Sequence, residues 1–118
     1  MIVMNHHYHP HYWRRRESLI PGIVTIAVLK IISKGPAHGY AIREEVKKIL
    51  DREIPRSLVY VLLRRLEKRG YVYSEWEVSG KGPARRIYYI TEEGKKLLEH
   101  KLGCLKKFIG MLKRIIEY

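Results

Sequence analysis

Residues Pro55 to Ile90 join a two-faced helix directly to a basic hairpin. Helical spacing gathers Leu58, Val59, Leu62, Leu63 and Leu66 on one side, and Ser57, Tyr60, Val61, Arg64 and Lys68 on the other. Gly70 ends the helix, because glycine tolerates positive φ. Two strand-like runs follow, Tyr71–Val78 and Ala84–Ile90, and the loop between them carries Lys81 at its tip. A helix anchored by an apolar face, cationic on its outer face and followed by a cationic hairpin, supplies both parts of a winged helix-turn-helix. The helix suits the major groove and the wing suits the adjacent backbone.

The flanking segments fit that order. Pro21 to Ser33 is apolar almost all round (Ile23, Val24, Ile26, Ala27, Val28, Ile31, Ile32), the pattern of a buried central helix. Gly35-Pro36 breaks the chain, and a second helix begins near His38. Its inner face is expected to hold Tyr40, Ile42, Val46, Ile49 and Leu50. The expected fold is mainly α with a small β-hairpin. Its predicted divisions are a basic, His- and aromatic-rich tail over 1–18, a winged helix-turn-helix over 19–90 and a C-terminal dimerisation helix over 91–118. In that last helix Leu98, Leu102, Leu105, Ile109, Leu112 and Ile116 recur at alternating spacings of four and three, an a/d seam. A second row, Leu97, Cys104, Phe108, Met111 and Ile115, makes the face too wide for a two-stranded zipper. One part is expected to pack on its own domain and the other on a second subunit, giving a homodimer. The alternative is an amphipathic helix that closes a monomer's core.

Twenty-four Lys and Arg against twelve Asp and Glu give a formal net charge of +12. That excess favours a polyanion, and the fold makes it double-stranded DNA. Ser57 and Tyr60 offer hydroxyls to phosphates or base edges, and Arg64 reaches guanine or the backbone. Lys68, a turn further on, suits a phosphate, with Arg56 flanking. Arg65 and Arg69 are expected to lean towards the domain. In the wing the candidates are Lys81, Arg85 and Arg86. Strand alternation sends Arg85 and Arg86 to opposite faces, so one is expected to pair with Glu75 or Glu77 instead. The aromatic residues of the hairpin are expected to brace the sheet.

Other classes find little support. Cys104 is the sole cysteine, which excludes an internal disulfide and fits the reducing cytoplasm. On an apolar helix face its thiol is expected to be inert core. No apolar run approaches the roughly 20 residues of a membrane span. The phosphate-loop and zinc-protease motifs are missing, no nucleophile has a base partner, and no cofactor is called for. His6, His7, His9 and His11 come without fixed accompanying ligands, so no metal site is assigned. Arg14-Arg15-Arg16 reads as a solvated charge run. Absent glutamine and a single asparagine, with abundant Lys, Arg, Glu and Ile, suggest a hot environment.

Four segments in order resemble the PadR-type transcriptional regulators. Gly35-Pro36-Ala37-His38-Gly39-Tyr40-Ala41-Ile42 looks like their G-P-x-H-G-Y-x-I segment. Tyr60 to Gly70 is similar to Y-x-x-L-x-x-L-E-x-x-G, Trp76 to Thr91 to their wing, and Thr91-Glu92-Glu93-Gly94 to their T-x-x-G. The resemblance spans roughly Leu19 to Leu98. It implies a homodimeric repressor of an inverted-repeat operator, dimerised through the C-terminal helix. It also implies DNA contacts from Tyr60 and the residues before it, and from Lys81 and Arg85. Where the family often has Gly-Thr this chain has Ser57-Leu58. A small-molecule effector at the dimer interface follows from the resemblance to shorter members alone, and no residue here identifies one. Two other readings stand beside it: a nucleoid protein without sequence preference, and a winged-helix subunit that binds only protein.

Overall fold

The structure, a computed structural model, describes residues 21–78 and 82–118. A first helix, α1, covers residues 21–33. The order is then β1 (Ala37–His38), α2 (Gly39–Leu50), α3 (Arg56–Lys68), β2 (Val72–Glu77), β3 (Arg85–Ile90) and α4 (Glu92–Glu117). The N-terminal tail and Lys81 lie outside the described residues.

The stops between helices are written in backbone chemistry. Asp51, at φ 50°, closes α2 in the left-handed region, which the short polar side chain of aspartate tolerates. Gly70, at φ 82°, closes α3. There the Tyr71 amide donates to the Leu66 carbonyl at 2.9 Å, and the Gly70 amide to Glu67 at 3.0 Å. This paired closure satisfies carbonyls that the helix end would leave bare. It also turns the chain straight into β2, so the outer face of α3 and the wing are set by one turn.

The sheet has three antiparallel strands in the order β1-β3-β2. The hairpin was expected and β1 was not, because two residues are too few for alternation to show. Ala37 faces Tyr88 and His38 faces Ile87. In β2 and β3 the register places Val72 opposite Ile90, Ser74 opposite Tyr88 and Trp76 opposite Arg86. These six residues share the face turned towards α3. Tyr73 and Tyr89 stack on the other face, with ring centroids 4.9 Å apart, so cross-strand aromatic bracing is present there.

The core joins Val24, Val28, Leu29 and Ile32 of α1 to Ile42 and Val46 of α2. From α3 come Val59, Leu62, Leu63 and Leu66, with Val72, Tyr88 and Leu98 closing the base. The inner face of α3 is therefore as its spacing implied, apart from half-buried Leu58. Tyr40 and Ile49 are corrections: both are exposed. Tyr40 is two residues from Ile42, which is about 200° round the helix from the core stripe, and Ile49 stays open in the last turn.

Thr91 fixes α4. Its hydroxyl accepts from the Gly94 amide at 3.0 Å and donates to the Gly70 carbonyl at 2.7 Å, capping the helix and tying it to the end of α3. Gly94 lies where a Cβ would run into the Tyr71 carbonyl oxygen, so the T-x-x-G pattern records close backbone contact. The seam residues divide along α4. Leu98 belongs to the domain's own core, Leu102 packs against that core, and Leu105 is half-buried. Leu98 is thus not free for a partner. Cys104 is a further correction, being exposed with Sγ 3.8 Å from His100 Nε2, because its row is covered by the domain at Leu97 and no longer so from Cys104 onward.

Candidate nucleic-acid interface

The outer face of α3 is a cationic ridge. Arg56, Ser57, Arg64 and Lys68 are exposed along it, and Tyr60 is half-buried at its wing side. Arg65 and Arg69, expected to lean inward, are exposed as well. Tyr60 owes its position to Gly39: a Cβ there would stand 2.7 Å from Tyr60 Cε1. The glycine that opens α2 therefore lets the aromatic ring of α3 close against the second helix.

Between this ridge and the sheet runs a groove made of two overlapping clefts. One, of about 490 Å³, is bounded by Tyr60, Arg64, Glu67, Lys68, Arg86 and Tyr88. The other, also about 490 Å³, continues past Tyr60 to His38, Tyr40, Trp76 and Arg85. Tyr60, Arg64, Lys68 and Arg86 thus meet along one groove, and Arg85 borders its far end from a strand position that alternation turns to the other face. Ser57 does not; it opens onto a separate groove on the α1 side, with Pro21, Pro55, Leu58 and Val61.

Arg86 is tied into the wing and α3 by several contacts. Its guanidinium lies 4.6 Å from the Trp76 ring centroid, a cation–π distance. It donates to Ser74 Oγ, and Ser74 Oγ donates to Glu67 Oε2 at 2.7 Å. Arg86 Nη1 stands 3.9 Å from the same Glu67 oxygen. The expected wing partner was Glu75 or Glu77; the partner is Glu67 of α3, because Arg86 projects from the face turned to that helix. Arg85, on the opposite face, sits across from Glu77 in register. Glu77 is instead 3.0 Å from His38 Nε2, an ion pair when the imidazole is protonated, which links β1 to the wing. Burial pushes the Tyr88 phenol above its ordinary value, against the lowering effect of Arg86, and the hydroxyl therefore stays protonated beside the groove.

Spacing alone missed Glu67, Ser74 and His38. Ser74 and Trp76 share a strand face by alternation, so their link to Arg86 becomes visible once the register is known. No helix among the described residues is long and apolar enough to cross a membrane.

Comparison with known proteins accords with this geometry. A structure of a Thermoplasma acidophilum protein described as a transcriptional regulator is 30% identical, covers 86% of this chain and 97% of that one, and superposes with a TM-score of 0.75. A transcriptional regulator from Clostridium thermocellum is 26% identical, with 82% and 93% covered and a TM-score of 0.73. PadR of Bacillus subtilis, solved in complex with operator DNA, is 26% identical, with 68% and 46% covered and a TM-score of 0.62. A search of curated protein sequences gives no significant match. The family model described as "Transcriptional regulator PadR-like family" matches residues 28–100, from within α1 to the third turn of α4. With well over half its length under that match, the chain belongs to the PadR-like family of transcriptional regulators.

Proposed function

We propose that the protein is a homodimeric repressor that binds an inverted-repeat DNA operator. The observation carrying this is the single groove that α3 shares with the wing, cationic along both walls. Arg64 takes the base-reading role and Tyr60 lies at its side. Arg56, Lys68, Lys81 and Arg85 hold phosphates, and Ser57 contacts the backbone from the neighbouring groove. The operator complex of the Bacillus subtilis relative supports double-stranded DNA as the partner. In this reading residues 19–90 are the DNA-binding unit and 91–118 carry the dimer contact.

The dimer rests on α4. Phe108, Ile109, Met111, Leu112, Ile115 and Ile116 are 41 to 82% exposed. An apolar strip of that kind calls for a cover. A second copy supplies one with the same chemistry, and Gly103 has open space beside it for close approach. Ile109, Leu112 and Ile116 form the contact, with Leu105 at its inner edge.

Selection of duplexes from a random library tests the proposal. Enrichment of a two-fold symmetric site, with affinity falling steeply as salt rises, is expected because each bound cation releases counterions. Enrichment of no sequence, with tight binding to every duplex, indicates a nucleoid protein. A flat dependence of log K on log salt argues against DNA altogether.

A further inference from the structure

We propose that Arg86 is a positioning residue that fastens the wing to the recognition helix, and that it is not itself a phosphate contact. The inference rests on the DNA-binding reading above and deepens it.

The argument begins with hydrogen-bond polarity. A serine hydroxyl has one proton. Ser74 gives it to Glu67 and accepts from Arg86, so the donors run one way: Arg86 to Ser74 to Glu67. The three residues come from three elements, β3, β2 and α3. Trp76 holds the guanidinium plane from below. Among the described residues, Glu67 is the sole carboxylate on the walls of the two clefts. A carboxylate beside a bound polyanion weakens binding unless something neutralises it, and Arg86 stands where it does so. Arg85, one residue earlier, has no such partner among the described residues and keeps its charge for DNA. The adjacent arginines therefore divide the work: Arg85 meets the duplex, and Arg86 sets the position from which the wing meets it. The groove between α3 and the wing is then a fixed width, defined by the relay across its floor.

Four variants of the full chain separate positioning from contact: Ser74→Ala, Glu67→Gln, Arg86→Lys and Arg86→Gln. Each is measured against a duplex enriched by the wild-type chain and against a random duplex, over a range of salt. Thermal unfolding confirms that each variant is folded. Ser74→Ala changes no charge. Losing one hydrogen bond at the relay is expected to lower the enriched-to-random affinity ratio by roughly three- to tenfold. Arg86→Lys keeps the charge but not the planar fork, and should lose discrimination to a similar degree. Glu67→Gln should also lower the ratio, although it removes a negative charge from the DNA face. Arg86→Gln should leave the salt slope on random DNA unchanged.

A slope reduced by about 0.9 for each protomer in Arg86→Gln would mark a phosphate contact and overturn the proposal. Full discrimination by Ser74→Ala or Arg86→Lys overturns it too, as does tighter, equally selective binding by Glu67→Gln. Failure of the wild-type chain to bind any duplex overturns the DNA reading and takes this one with it. A wild-type chain that selects DNA, with variants that select equally well, defeats only the relay.

Discussion

Replacing Gly39 by alanine should disturb the proposed DNA face from a helix other than α3. The new Cβ would sit 2.7 Å from Tyr60 Cε1 and 3.4 Å from two further ring atoms. Carbon atoms ordinarily rest about 3.5–4.0 Å apart, so the ring has to retreat by roughly 1 Å. Overpacking of that size costs about 1–3 kcal/mol. Alanine at the opening of α2 returns at most about 1 kcal/mol of helix propensity. The net loss is about 1 kcal/mol, or a melting temperature lower by about 4 °C for a chain of this size. Tyr60 borders both clefts, so binding to a selected duplex should weaken as well. The assay is a double-mutant cycle with Tyr60→Ala, read by thermal unfolding. Without the ring the overlap disappears, and Gly39→Ala should become neutral or mildly stabilising, a coupling of about 1 kcal/mol or more. Equal cost in both backgrounds would refute the claim that Gly39 exists to admit Tyr60.

Other expectations are simpler to test. Thr91→Ala removes a helix cap and a tie to Gly70, each about 1 kcal/mol, so chemical denaturation should show a loss of about 2 kcal/mol. Gly94→Ala drives a Cβ into the Tyr71 carbonyl, a backbone atom that cannot swing aside; a loss of about 3 kcal/mol or more, or failure to fold, is expected. Ile109→Asp places a charge on the exposed apolar strip of α4 and should shift the proposed dimer to monomer in sedimentation without lowering helicity. Tyr88 binds its proton more tightly folded than unfolded. Its contribution is thus full below the ordinary phenol pKa of about 10 and declines as pH rises through and beyond that value. Tyr88→Phe should flatten the alkaline fall in stability, followed by denaturant titration between about pH 9 and 11.

Much of the scaffold was legible because it rests on periodicity and on single special residues. The inner face of α3, the stop at Gly70, and Thr91 as the cap of α4 all follow from local rules that the tertiary fold leaves intact. The strand β1 was not legible, since its two residues pair only because β3 passes beside them. Tyr40 was placed inward through its apolar character although its spacing from Ile42 argued otherwise. On α4 the pattern showed a wide apolar face but not how it divides, because that depends on where the domain ends beneath it: Leu98 is covered and Ile109 is not. The site residues of α3 were likewise visible as a face. What could not be seen was the partner of Arg86, since Glu67 and Ser74 reach it only through the register of the hairpin and the turn at Gly70.

The central claim is that the ridge of α3 and the base of the wing act as one DNA surface, repeated by a second copy. Hydroxyl-radical footprinting of the full-length protein on a selected duplex tests it most directly. The account predicts two protected windows on one side of the duplex, one helical turn apart at about 10 base pairs, both fading in Arg64→Ala. A single window, or even protection with no helical repeat, would contradict it.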